Sequence, residues 1–233
     1  MTFTPPPPNC PLCPRLVAFR ATNAAQFPQF FNGAVPPFGD LSAQMLVVGL
    51  APGLQGANAT GRPFTGDYAG EVLYAGLKKH GFARGEYEPA AFGVGRGAQN
   101  IAANFAKDGT YPDGFSLHNV RITNAVRCVP PENKPTPAEE KTCNPFLINE
   151  IAAMPNLRII LSLGLTSHQA VLRTFKLKVK DYKFAHGAVH KLPNGLRLID
   201  SYHTSRYNIS TGRLTQAMFN AVVDQSRGLL RDA

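Results

Sequence analysis

GLAPGLQGANATGRPFTGD, residues 49–67, follows directly on the apolar run 45–48 and decides how the rest of the chain is read. It carries four glycines and two prolines before Gly66 and ends in an acid placed to open a helix. A loop this rich in glycine at the C-terminal end of a strand lets backbone N–H groups approach a ligand closely. Phe64 adds an aromatic face and Asp67 a carboxylate. No Gly-Lys-Ser/Thr follows, and the glycines do not fit the dinucleotide fingerprint, so neither standard phosphate loop is implied. A glycine-rich turn without chemistry is the plain alternative, because loops hold Gly and Pro in any case.

Outward from this loop, residues 44–50 read as a buried parallel strand, a continuous apolar run stopped by glycine. From Gly66 the pattern becomes helical and ends at Lys78-Lys79-His80-Gly81, basic residues followed by a glycine stop. Further strands are expected at 117–125, 158–163 and 196–202, with a hairpin-like stretch at 182–189. Helical character is expected over 15–24. Capping boxes at Thr136–Glu139 and Thr166–Gln169 predict two more helix starts, the first carrying Cys143 in its second turn. The last helix is expected from about Thr211 to Leu230. Residues 82–115, rich in Gly, Ala and Pro, offer only a short helical candidate at 100–107. Strands separated by helices predict an α/β fold, three layers α/β/α around a mostly parallel four-stranded sheet, with residues 1–233 as one domain.

In such sheets ligands sit beyond the C-terminal ends of the strands. The opening loop, Asn124 and His203 all fall at those ends. Their convergence is the strongest physical signal in the chain.

Charge and cysteine content narrow the chemistry. Twenty-four Lys+Arg against fifteen Asp+Glu leave a net charge of +9, which favours polyanions such as nucleic acid. No apolar run approaches a membrane span, and the Pro-rich start MTFTPPPPNC lacks the apolar core of a signal peptide, so a cytoplasmic protein is expected. In that compartment disulfides are a poor explanation for Cys10, Cys13, Cys128 and Cys143. Four thiols, two of them in a C-x-x-C pair, suit a metal site that would staple residues 1–14 to the body. The donor set alone leaves zinc and iron–sulfur both open.

GLAPG…TGRPFTGD, ITNAVRC and YHTSRYNISTGRLT, in this order and spacing, resemble the uracil-DNA glycosylases, and within that superfamily the type B, or family 5, branch. Leu50 in GLAPG stands where the related family 4 is expected to have an acid. The resemblance implies a uracil-DNA glycosylase-like fold and hydrolysis of the bond between uracil N1 and deoxyribose on a nucleotide flipped from the stack. It implies Asp67 and His203 as catalytic residues: the carboxylate stabilising the sugar cation and orienting water, the neutral imidazole stabilising the leaving base anion. Phe64 would stack on the base, Asn124 would pair with its Watson–Crick edge, and Gly53 would leave room for the nucleotide. Ser205, Arg206 and Tyr207 would enter the DNA minor groove, and the four cysteines would hold a structural [4Fe–4S] cluster.

The implied partner is uracil-containing DNA, double-stranded and in a wider reading single-stranded, bound by a monomer that is nucleoid-associated when on DNA. Other deaminated or damaged bases belong to the same expectation. Thr204 departs from the proline that the family typically places after the histidine, which removes a stiffening element and leaves an N–H. Two other classes compete: a catalytically silent uracil- or lesion-binding module on the same fold, and a zinc-stapled α/β protein binding a small nucleotide. The first lacks any use for an acid and a histidine together. The second is separated by metal analysis.

Overall fold

The computed structural model describes residues 3–92 and 111–231. Helices α1 (Pro14–Gln26), α2 (Ala57–Thr60), α3 (Tyr68–Lys79), α4 (Pro137–Ala152), α5 (Leu165–Thr174), α6 (Arg206–Ser210) and α7 (Gln216–Arg231) accompany strands β1 (Met45–Gly49), β2 (Ala83–Arg84), β3 (Ser116–Leu117), β4 (Val120–Asn124), β5 (Ile159–Leu163), β6 (Val189–Lys191) and β7 (Arg197–Ser201). The main sheet runs β4-β1-β5-β7-β6, parallel except for β6, while β2 and β3 form a separate antiparallel pair.

Alternating side chains of the central strands feed two cores. Met45 and Val47 of β1, with Ile159 and Leu161 of β5, pack under α3 and α7 beside Leu73, Leu77, Phe219 and Val223. Leu46, Val48 and Ile160 point the other way, against Leu147 of α4 and Val171 and Leu172 of α5. Burial on both faces is why these strands read as unbroken apolar runs. Helices on both faces make the three layers.

The sheet has five strands rather than the expected four. β6 is the extra one, a three-residue strand, Val-His-Lys, that pairs antiparallel with β7 through the turn at Gly195. It is too short and too polar to show a strand period. Two helix boundaries also differ. Helix α5 starts at Leu165, and Gly164 (φ +99°) is its N-cap with no side-chain cap bond, so Thr166–Gln169 is not a capping box. The last helix starts later than Thr211: the short α6 ends at Ser210 with Thr211 as its C-cap, Gly212 turns the chain at φ +70°, and α7 begins at Gln216. The capping box of α4 is formed reciprocally, Glu139 N–H to Thr136 Oγ1 at 3.3 Å and Thr136 N–H to Glu139 Oε2 at 2.7 Å. The helical candidate at 100–107 lies outside the described residues. Among the described residues no helix is long and apolar enough to cross a membrane.

Candidate active site

The order of the sheet sets the location. β1 pairs with β4 on one side and β5 on the other, so the chain reverses direction across the sheet at β1, where a crevice opens beyond the strand ends. Gly49 ends β1 opposite Asn124, the last residue of β4. A Cβ on Gly49 would collide with both the Phe64 ring and Asn124 Oδ1, so only glycine lets these two side chains meet over the strand end. His203 reaches the same place from β7 by passing over the end of β5, where Gly164 donates to the Ser201 carbonyl at 2.8 Å and a Cβ would come within 3.5 Å of His203 Cβ.

Phe64 sits at φ +55°, a conformation strained for a bulky side chain and one that over-determining contacts must hold. Those contacts are visible. The Tyr74 hydroxyl donates to the Pro63 carbonyl at 2.5 Å and the Tyr87 hydroxyl to the Phe64 carbonyl at 3.2 Å, while Gly66 N–H donates to the Tyr87 oxygen at 3.3 Å. Arg62, fully buried, makes a bidentate pair with Asp113 at 2.8 and 2.6 Å. Its guanidinium is ringed by aromatic side chains, nearest Phe92 at 4.5 Å and Tyr111 at 4.9 Å. The segment around residues 84–92 and 111–115, unreadable in sequence, thus clamps the loop that carries Phe64.

Asp67 is the N-cap of α3 and accepts from Gly70 N–H at 3.3 Å. Gly56 lies against its carboxyl, and a Cβ there would overlap it. Burial raises the Asp67 pKa against the opposing pull of the Gly70 and Ala69 N–H groups, with Glu71 adding to the rise. Burial acts on His203 in the opposite direction and lowers its pKa to about 4, which keeps the imidazole neutral. The His203 and Phe64 rings lie 6.1 Å apart at 31°.

Gly53, Phe64, Asp67, Asn124 and His203 all line one pocket of about 240 Å³. It opens into an outer cleft of about 1270 Å³, which shares Gly53, Asp67 and His203 and adds Tyr68, Ser205 and Arg206. Asn133, on the loop before α4, also borders this cleft, and no pattern in the sequence singled it out. Ser205 N-caps α6, accepting from Asn208 N–H at 3.4 Å, and Arg206 stacks over Tyr68 at 5.3 Å. Tyr207 lines neither space and is 71% exposed at the rim. Thr204 is fully buried with its hydroxyl unpartnered among the described residues, so packing rather than a proline ring restrains the chain after His203.

The four cysteines gather elsewhere, behind the loop. Cys10, Cys13, Cys128 and Cys143 line a single pocket, and Ala51 of the active-site loop packs against their cluster. Burial, and after it the neighbouring thiols, pushes Cys13 up to about 11; Cys128, also shifted chiefly by burial, rises to about 12. A metal would displace those protons. Tetrahedral zinc, with Zn–S of about 2.3 Å, would draw sulfurs to roughly 3.8 Å from one another. The described group whose ligand atoms all lie within 4.8 Å is His168–His190–Asp200, so no three of the thiols are that close. Four thiols are a donor set that fits tetrahedral zinc or an iron–sulfur cluster. The His168 group is itself a closed network: Asp200 Oδ1 accepts from Ser162 at 2.6 Å and from His168 Nδ1 at 2.8 Å, Oδ2 pairs with His190 at 3.1 Å, and His168 Nε2 meets the Tyr182 carbonyl at 2.9 Å.

Comparison with known proteins agrees with this arrangement. Residues 36–227 match the model of the uracil DNA glycosylase superfamily. The chain is 39% identical over 226 residues to a type-5 uracil-DNA glycosylase of Thermus thermophilus, covering 94% of this chain and 93% of the relative. It is 36% identical over 229 residues to one of Mycobacterium bovis (94% and 78%) and 36% identical over 211 residues to one of Pyrobaculum aerophilum (89% and 83%). The match over residues 36–227, with relatives of 36–39% identity along most of the chain, makes it a member of the uracil DNA glycosylase superfamily.

Proposed function

We propose that this protein is a monofunctional uracil-DNA glycosylase of the type-5 branch, acting as one unit and as a monomer on uracil-containing DNA. The observation that supports it most is the single pocket in which Gly53, Phe64, Asp67, Asn124 and His203 meet. A base turned out of the helix enters through the outer cleft and lies against Phe64, with the Asn124 amide along its polar edge. The bond between uracil N1 and C1′ breaks with its electron pair going to the base. The neutral His203 ring donates to the carbonyl oxygen where that charge gathers. Water attacks C1′ and gives its proton to Asp67, whose carboxylate first stabilises the sugar cation. Among the described residues no lysine lines the pocket or the cleft, in keeping with a monofunctional reaction without a Schiff base. Arg206 and the exposed Tyr207 hold the strand and fill the gap the base leaves.

The four thiols would hold a [4Fe–4S] cluster whose role is structural; it ties residues 10–13 to the segment behind the active-site loop. Purified protein is expected to contain iron and to absorb in the visible. Stoichiometric zinc in colourless protein is the opposing result. The activity is tested by single-turnover release of free base from a uracil duplex at enzyme excess. Asp67→Asn and His203→Ala should each slow release by roughly 10²–10⁴-fold. Wild type that binds the duplex without releasing base would identify a silent binding module instead.

A further inference from the structure

Resting on the cluster reading above, we infer that Arg127 and Arg20 are the cluster's own counter-charges, donating to its sulfur atoms and setting its reduction potential. Arg127 lines the thiol pocket and is 1% exposed. One of its nitrogens, Nη2, pairs with Glu150 at 2.5 Å, whereas Nε and Nη1 are buried with no hydrogen-bond partner among the described residues. A guanidinium with two desolvated, unanswered N–H groups is costly, and such groups are almost always satisfied in folded proteins. Arg127 lines the pocket enclosed by Cys10, Cys13, Cys128 and Cys143, and its charge acts on the Cys143 thiol.

The charge balance leads to the same place. Glu150 serves two arginines, pairing with Arg121 at 2.6 Å as well as with Arg127, and its carboxylate answers only one of them. Glu150 is thus shared between two buried guanidiniums. Arg20 adds a third: its Nη1 lies 3.6 Å from Cys128 Sγ and its Nη2 donates to the Cys10 carbonyl at 3.1 Å, with no carboxylate partner among the described residues. A [4Fe–4S]²⁺ core held by four thiolates carries a net charge of about −2, and hydrogen bonds to its sulfurs and nearby charge govern its potential. Arg127, which shares its carboxylate with Arg121, and Arg20, beside the Cys128 sulfur, oppose that charge. The backbone N–H of Arg127, bonded to Cys143, adds a donor from the same residue.

The test compares wild type with Arg127→Met, Arg127→Lys and Arg20→Met, each reconstituted anaerobically with ferrous iron and sulfide. Iron and acid-labile sulfide per chain, cluster loss in air, and the midpoint potential by spectroelectrochemical titration are the readouts. Both Met variants should shift to a lower potential, and cluster affinity should fall roughly ten-fold, the low end for removal of an outer-shell partner. Arg127→Lys should fall between, keeping the charge but not the paired N–H geometry. Iron-loaded variants with wild-type potential and cluster retention would overturn the inference while leaving the cluster reading intact. Wild type that takes up no iron would overturn the cluster reading first, and the inference with it. If Arg127→Met does not fold, Arg127→Lys and the half-buried Arg20→Met carry the comparison.

Discussion

Lowering the pH is the most direct perturbation of His203. Its imidazole has a pKa of about 4 in the folded protein against 6.5 for the free side chain. At pH 6 an ordinary histidine is protonated in about three-quarters of molecules, and His203 in about one in a hundred. A neutral ring can therefore donate one N–H to the leaving base across the whole range in which such an enzyme works. The same shift costs stability. The unfolded chain takes up a proton near pH 6.5 while the folded chain does not, so acid favours unfolding; the loss grows as the pH falls through 6.5 and levels off below 4. Integrated, this group removes about 2 kcal/mol between pH 7 and pH 5. Histidine-labelled NMR would follow all six rings, with His203 assigned from its disappearance in His203→Gln. Urea melts of wild type and His203→Gln at pH 7 and pH 5 would give the stability term, the variant losing about 2 kcal/mol less. An imidazole midpoint at or above 6, or a wild-type and variant gap independent of pH, would refute the reasoning that burial holds this ring neutral.

Gly49→Ala should place a methyl group against Phe64 and Asn124; single-turnover release is expected to fall on the order of 10²-fold while the far-UV spectrum is unchanged, and full activity would show that the pocket wall can yield. Burial raises the Asp67 pKa, so the carboxylate proposed to accept water's proton disappears at a higher pH than usual. The acid limb of the single-turnover rate should accordingly lie above the ordinary carboxylate range near 4, and it should vanish in Asp67→Asn. Thr204→Val removes a buried hydroxyl without a partner and should stabilise the protein by about 1 kcal/mol in urea melts.

Much of the site could be read from the sequence because its parts stand at the ends of buried parallel strands, and such strands announce themselves as apolar runs. Gly49 and Asn124 close two strands and His203 follows a third, and the acid of TGRPFTGD doubles as a helix cap with its own local signature. β6 was hidden because Val-His-Lys is too short for any period. The start of α5 was misplaced because local hydroxyl patterning suggested a capping box, whereas a left-handed glycine already ends β5 and starts the helix. The clamp on Phe64 was out of reach for another reason. Arg62 meets Asp113, Phe92 and Tyr111 only after distant segments fold together, and nothing local in any of them signals the encounter. Glu150 between Arg121 and Arg127 is the same kind of feature, a helix residue whose partners lie on the strand β4 and just beyond it.

The thiol pocket has a consequence for biosynthesis. Cys10 and Cys13 leave the ribosome more than a hundred residues before Cys128, and Cys143 follows on α4. No complete set of ligands exists until two turns of α4 have been made, so an early C-x-x-C pair waits as exposed thiols through most of translation. A group held by all four thiols, as proposed above, would be delivered only then, to a chain whose β1 and β4 are already available to pair. Closing that long loop is entropically expensive, though its cost rises only slowly with length, and a bound group would offset it by fastening residues 10–13 to α4.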